Sequence, residues 1–244
     1  MPLVRVHLMP SQRGLMSKHA AIAEDEFLFR DRADAGRQLA ERIIGHSLQR
    51  PLALAMPRGG VPVAIEIATA LQAPLDLLLV RKIGLPWQPE LAVGAVVDDG
   101  RRHTVINEKI ARTAHMDEAD ITRIANTQLE EIDRRCRLWL SRHEHLSIAG
   151  RTVIVVDDGV ATGASARVAF DAVKTQNPSW VMLAAPVVPI DVAEALRKVY
   201  DDTMFLATLE NFVSVGRYYR DFHQLSDDEV KKLLDRAWDI LPAQ

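Results

Sequence analysis

Two adjacent carboxylates, Asp157 and Asp158, close the apolar run Val153-Ile154-Val155-Val156. A turn of mostly small residues follows, Gly159-Val160-Ala161-Thr162-Gly163-Ala164-Ser165, and leads into a helical pattern. In open α/β sheets ligands sit at the carboxyl ends of strands, so the acids stand where a ligand would be. The turn offers backbone N–H groups beside a helix N-terminus, with the Thr162 and Ser165 hydroxyls as further donors. That is a cradle for a phosphate. Hydrogen bonds to a charged group contribute about 1.5–3 kcal/mol each, so several donors hold a phosphate without a local Lys. The nucleotide P-loop spacing, GxxxxGK followed by Ser or Thr, is not the one used here. Two carboxylates beside a phosphate repel it unless they bind something else. Ionised carboxylates only accept hydrogen bonds and sugar hydroxyls donate them, so the loop reads as a grip for a ribose 5-phosphate. The string VVDDG occurs twice, at 96–100 and 155–159. Only the second copy continues into the cradle and a helix; the first reads as a hairpin turn.

Such a loop needs a sheet to carry it. PLALAM (51–56) reads as a short buried strand, PRGG (57–60) as a loop, VPVAIEIATAL (61–71) as a helix and LDLLLV (75–80) as a second strand. Proline in the first helical turn is tolerated. This order has the size of a βαβ unit with parallel pairing. RTVIVVDD (151–158), ARVAFDAVKTQ, WVMLAAPVV (180–188), PIDVAEALRKV (189–199) and DTMFLAT (202–208) repeat it. Near-continuous apolar strands imply helices on both faces of the sheet. A helix is expected over 31–48, where Ala35, Leu39, Ile43 and Leu48 fall at helical spacing. Residues 92–107 read as two strands around an Asp99-Gly100 turn. Residues 116–142 read as a long charged helix with one modest apolar face, carried by Ile121, Ile124, Leu129, Ile132 and Leu138. Ser226 followed by Glu229 is a capping-box pattern that opens a last amphipathic helix.

VIVVDDGVATGAS resembles the PRPP-binding motif of the type I phosphoribosyltransferases along its whole length (PRPP is 5-phosphoribosyl 1-pyrophosphate). The resemblance implies an α/β fold, mainly a parallel sheet with helices on both faces, plus a hairpin or lid and a hood. It implies that Asp157 and Asp158 hold the ribose while Gly159, Val160, Ala161, Thr162, Gly163, Ala164 and Ser165 bind its phosphate. Arg58, Gly59 and Gly60 follow the first strand, where the family places its pyrophosphate loop; the glycines allow close backbone approach and Arg58 supplies a fork for phosphate oxygens. Arg81-Lys82-Ile83-Gly84-Leu85-Pro86 resembles the start of the loop that closes over PRPP, with Arg81 and Lys82 reaching pyrophosphate. FRDRADAGRQLA (29–40) and FVSVGRYYRDFHQLSDDEVKKLL (212–234) resemble a subgroup of predicted phosphoribosyltransferases with no established base.

The implied reaction displaces pyrophosphate from C1 of PRPP by a nitrogen of a base. Mg²⁺ would be held mainly through PRPP, with Asp157 and Asp158 as candidate ligands, and with the Arg58 and Lys82 cations it would stabilise the departing charge. The Trp87 to Val93 region would exclude water as a lid, with Glu90 a candidate for handling the proton of the base. The 6-oxopurine enzymes carry Asp at the position of Ala161, so an adenine- or orotate-like site is the expectation. His103 and His115 lie near the hood, where a surface or hairpin role is the commoner one. Phe212, Tyr218, Tyr219 and Phe222 read either as packing for the last helix or as a stacking surface for a base. A PRPP-sensing regulator without turnover is the alternative from another class.

Composition narrows the setting. The 244 residues are 48% hydrophobic and 26% charged, the proportions of an ordinary globular chain and not of a disordered one. Thirty basic against 33 acidic residues give a net charge of −3, without the basic excess of a nucleic-acid surface. The longest uncharged, largely apolar stretch, Trp180 to Ile190, holds two prolines and falls short of the roughly 20 residues of a membrane span. One cysteine, Cys136, excludes an internal disulfide framework and a cysteine-based zinc site and agrees with a cytoplasmic location. The partners expected are therefore PRPP and a nucleobase or related acceptor, with no nucleic acid and no membrane; a homodimer is common in the family. Residues 1–24 lack the apolar core of a secretory signal and read as a poorly ordered leader. Residues 25–244 read as one domain, with a hairpin and long-helix insertion at 93–145 and a C-terminal hood at 209–244.

Overall fold

The structure, a computed structural model, describes residues 4–8, 20–22, 27–85, 87–98, 102–141 and 143–242. In chain order the elements are β1 (Val4–Leu8), β2 (Ala20–Ile22), α1 (Arg32–Ile43), β3 (Leu52–Ala55), α2 (Gly60–Leu71) and β4 (Leu75–Leu77). Next come β5 (Leu79–Leu85), β6 (Gln88–Asp98), β7 (His103–Ile106), α3 (Glu108–Thr113) and α4 (Glu118–Trp139). The last are β8 (Thr152–Val156), α5 (Ala164–Lys174), β9 (Trp180–Pro189), α6 (Ile190–Leu196), β10 (Asp202–Leu209) and α7 (Asp227–Ile240).

The main sheet has the order β2-β1-β10-β9-β8-β3-β4. From β10 to β4 every pairing is parallel. This is the expected sheet, and both of its faces are covered. Ala53, Ala55, Ile154 and Val156 pack with Leu39 of α1, Ile67 of α2, Ile132 of α4 and Leu234 of α7. Leu52, Leu54, Val153 and Val155 point the other way, onto Ala169 and Val173 of α5 and Leu196 of α6. The alternation explains why these strands are apolar at every position, since each face of the strand meets a helix. The capping box read at Ser226 and Glu229 is present at the start of α7.

Two features go beyond the sequence pattern. Within the leader, β1 pairs antiparallel with β10 and β2 with β1. An uncovered strand edge presents unpaired N–H and C=O groups, and the short extended segments occupy it. The rest of residues 1–24 lies outside the described residues. The run 75–80 is also not one strand. It breaks at Leu78, whose N–H bonds the Ala55 carbonyl at 2.9 Å, and the chain leaves the main sheet there. β5 then begins a separate antiparallel sheet, β5-β6-β7. The expected hairpin is thus the pair β6–β7, extended on one side by β5; Asp99 and Gly100 lie outside the described residues.

The first VVDDG copy has a structural use. Asp98, at the end of β6, is 4% exposed, and Asp76 of β4 is 1% exposed. His145 lies between them, with Nδ1 3.1 Å from Asp76 Oδ1 and Nε2 3.5 Å from Asp98 Oδ1. The Cys136 thiol donates to Asp98 Oδ2 at 3.3 Å, and Arg102 Nε donates to the same oxygen at 3.1 Å. Burial alone would lower the His145 pKa, but Asp76, Cys136 and Asp98 raise it to about 10. A charged imidazolium therefore ties β4, β6 and the segment after α4 together.

Candidate active site

The carboxyl ends of β3 and β8 lie side by side, with Leu54 opposite Val155 and Ala55 opposite Val156. Each strand delivers its loop to the same edge. The Met56 N–H bonds the Val156 carbonyl at 2.8 Å, and the Gly60 N–H bonds the Met56 carbonyl at 3.0 Å. The Pro57–Arg58 peptide is cis. A side chain on Gly59 would overlap the Asp158 carboxylate, and one on Gly60 would overlap the Val156 carbonyl oxygen. The PRGG loop and the acidic loop therefore touch through bare backbone, which only glycine permits at these two positions.

The two acids have unequal surroundings. The Asp158 N–H donates to Asp157 Oδ1 at 2.9 Å. Asp158 Oδ2 accepts from Arg32 Nε at 2.7 Å. Burial, and then the charge of Asp158, raise the Asp157 pKa well above the usual carboxylate range. Burial also raises that of Asp158, but the hydrogen bond and charge of Arg32 oppose the rise. The Asp158 carbonyl accepts from the Tyr219 hydroxyl at 2.6 Å. Burial pushes the Tyr219 pKa up, so this hydroxyl stays a donor. On its other side the loop is held by β9, through Asp157 N–H to the Ala184 carbonyl (3.2 Å) and Val160 N–H to the Val187 carbonyl (2.9 Å).

The turn after β8 has the backbone geometry of a cradle. Gly163 has φ +74°, a left-handed conformation that favours glycine, and a Cβ there would press on Val192 Cγ1 at 2.9 Å. α5 begins at the next residue without a side-chain cap. The first N–H groups of a helix have no intrahelical partners, and here they point out of the turn after β8. The Thr162 hydroxyl accepts from the Ala164 N–H at 3.4 Å. Ala161 and Thr162 are exposed, and Ser165 is half-buried.

The remaining candidates are distributed differently. Arg58 leaves the PRGG loop and approaches Asp227, in the first turn of α7, at 3.7 Å. Arg81 and Lys82 are in β5 and not in an open loop. Successive strand residues face opposite ways. Arg81 turns to α4, where its Nε donates to Gln128 Oε1 at 3.0 Å. Lys82 shares the face of Val80, which packs into the cluster built around α5. The strand thus separates the two cations onto opposite faces. β5 pairs with β6, and this pairing explains why the stretch is not the loop it resembles. Trp87 is 66% exposed at the turn between the two strands. The side chains of Glu90 and His103 lie outside the described residues, and His115 is exposed.

The aromatic tail packs inward. Tyr218 is 5% and Tyr219 2% exposed. Tyr219 lies 5.2 Å from the Phe29 ring and 5.0 Å from the Phe222 ring, centroid to centroid. Tyr219 fastens the tail to the acidic loop, while Phe212 and Phe222 are half-buried. Arg32 is the site residue that the sequence does not announce, and Tyr219, expected only to pack or stack, bonds the acidic loop directly. For Arg32 a signal existed: it lies on the same helical face as the buried Ala35, Gly36, Leu39 and Ile43. A charge on a buried stripe calls for a partner.

A parallel sheet whose carboxyl edge joins adjacent carboxylates to a phosphate cradle is the architecture of the type I phosphoribosyltransferases. The chain belongs to that family: residues 28–223 match the phosphoribosyl transferase domain. It is 45% identical over 210 residues to a Mycobacterium tuberculosis protein (strain H37Rv) named as a putative phosphoribosyl transferase, covering 86% of this chain and 47% of that protein. The relative from strain CDC 1551 gives the same figures. The chain therefore spans about half the length of the curated relatives it matches. Among solved structures it is similar to the protein TT1426 from Thermus thermophilus, with 37% identity, a TM-score of 0.73, and coverage of 84% of this chain and 97% of that one. Among the described residues no helix is long and apolar enough to cross a membrane.

Proposed function

We propose that the protein is a Mg²⁺-dependent phosphoribosyltransferase that moves ribose 5-phosphate from PRPP to a ring nitrogen of a base. The observation that carries this reading is the contact of the Asp157-Asp158 loop, which continues into the α5 cradle, with the bare backbone of Gly59. Ribose hydroxyls donate to the two acids. The phosphate sits on the N–H groups of the first turn of α5, with Thr162 and Ser165 beside it. Pyrophosphate lies over Gly59 and Gly60, with Arg58 and Lys82 as candidate cations.

At C1 the bond to pyrophosphate breaks, and its electron pair leaves with the pyrophosphate oxygen. The lone pair of the base nitrogen forms the new bond, and any proton on that nitrogen passes to water or to the departing pyrophosphate. The residues bind, orient and exclude water; none forms a covalent bond. The donor set fits a metal carried in by the substrate's own oxygens. Among the described residues no group of three or more His, Cys, Asp or Glu could hold a metal by itself, and Asp158 already pairs with Arg32. When bound, Mg²⁺ would neutralise the charge that develops on pyrophosphate. Ala161 cannot move a proton, which favours an adenine- or orotate-like acceptor over a 6-oxopurine.

The test is mass spectrometry of products after incubation with Mg²⁺, PRPP and a pool of purine, pyrimidine and nicotinate-like bases. A new nucleotide monophosphate establishes transfer and names the acceptor. PRPP recovered bound but intact would replace this reading with that of a sensor.

A further inference from the structure

The geometry points to Arg32 as the positioning residue of the ribose-binding loop, locking Asp158 to the hood so that its carboxylate faces the substrate. This inference rests on the PRPP reading given above.

Arg32 opens α1 yet is only 8% exposed. Three partners surround it. Nε donates to Asp158 Oδ2 at 2.7 Å, and one terminal nitrogen donates to the His223 carbonyl at 3.0 Å. The guanidinium carbon stands 3.8 Å from the centre of the Phe222 ring. A buried guanidinium is costly unless its charge is paired and its donors find acceptors, and here Asp158 supplies the opposite charge and, with the His223 carbonyl, two acceptors. One side chain thus joins three segments: the start of α1, the acidic loop, and the tail at Phe222-His223. Tyr219, in the same tail, bonds the Asp158 carbonyl at 2.6 Å. The tail therefore grips Asp158 twice, by its carbonyl directly and by its carboxylate through Arg32.

The arrangement also distinguishes the two acids. Of the two acids, Arg32 bonds only Asp158. An ionised carboxylate accepts about four hydrogen bonds, so pairing with Arg32 leaves capacity for ribose hydroxyls. Without Arg32, Asp158 would be a buried acid beside another acid with no cation bonded to it. It would then be free to turn away from the position in which Arg32 holds it. Lys could restore the charge but not the planar fork that reaches Asp158 and the His223 carbonyl together.

Calorimetric binding of three probes separates this role from a general structural one: PRPP with Mg²⁺, ribose 5-phosphate, and pyrophosphate with Mg²⁺. The proteins are the wild type, Arg32→Met, Arg32→Lys, Asp158→Asn and Arg32→Met with Asp158→Asn, each checked by thermal melting. Arg32→Met is expected to weaken ribose 5-phosphate and PRPP by about tenfold to a hundredfold, the loss of a charged hydrogen bond. Pyrophosphate binding should be unchanged. Arg32→Lys should recover part of the loss, and the double variant should bind no more weakly than Asp158→Asn alone. If Arg32→Met does not fold, Arg32→Lys decides the matter through a smaller loss confined to ribose 5-phosphate and PRPP. Equal loss for all three probes, additive effects in the double variant, or unchanged ribose 5-phosphate binding would overturn the inference. A folded wild type that binds neither PRPP nor ribose 5-phosphate would overturn the PRPP reading itself. That outcome is recognisable because it precedes any variant.

Discussion

The α-carbon of Gly59 packs against the carboxylate of Asp158, with no room between them for even a methyl group. Two loops that belong to strands far apart in the chain are held at backbone distance, and the proposed binding sites for pyrophosphate and ribose become neighbours. Gly59→Ala should therefore displace Asp158 while leaving the buried strands intact. PRPP affinity is expected to fall by at least about tenfold, equivalent to about 1.4 kcal/mol, with the circular-dichroism spectrum unchanged. Titration calorimetry reads this directly, and undiminished affinity would place ribose elsewhere.

The acids themselves give the second prediction. Replacing Asp157 and Asp158 together with Asn keeps the shape of the loop and removes its charge. Transfer should be abolished and PRPP binding weakened in the same protein, measured by product formation and by calorimetry. Transfer that survives the double change would remove both residues from the site.

Tyr219→Phe removes one hydroxyl and strands the Asp158 carbonyl, which it bonds at 2.6 Å. The expected loss of stability is about 1–3 kcal/mol, the cost of an unsatisfied buried acceptor. The urea midpoint should fall with the slope of the transition unchanged.

The loop was legible because its parts are contiguous: strand, acids, turn and helix follow one another from 153 to 174. Arg32 and Tyr219 reach the same loop from 126 and 61 residues away, and no local pattern states such a pairing. The stretch 75–85 misled for a different reason. Its apolar residues continue through the break at Leu78, so hydrophobicity alone does not show where one sheet ends and the next begins. Arg81 and Lys82 follow each other in sequence and so look like one basic site. A strand turns them to opposite faces.

The buried cluster around His145 gives a pH dependence. Its folded pKa is raised from 6.5 to about 10. The stabilisation from this group is thus fully present below about pH 6.5 and is lost as pH rises through about 10. His145→Gln leaves Asp76 and Asp98 without their shared cation and should cost about 3–5 kcal/mol near neutral pH. The gap between wild type and variant should narrow steadily towards pH 10. Unfolding curves across that range test it, and a gap independent of pH would show that the imidazole is neutral in the folded protein.

Arg32, Gly59, Asp158 and Tyr219 also meet only because distant parts of the chain have closed on one another. The pairing of β3 with β8 alone joins residues 52–55 to residues 153–156. Contacts of such long sequence separation form after the entropy of loop closure has been met, and they are characteristic of slow folding. A fragment that lacks either end of the stretch from Arg32 to Tyr219 lacks part of this site. Any molecule that binds it selects the complete fold by mass action, adding about 2.7 kcal/mol of stability at a hundredfold excess over its Kd.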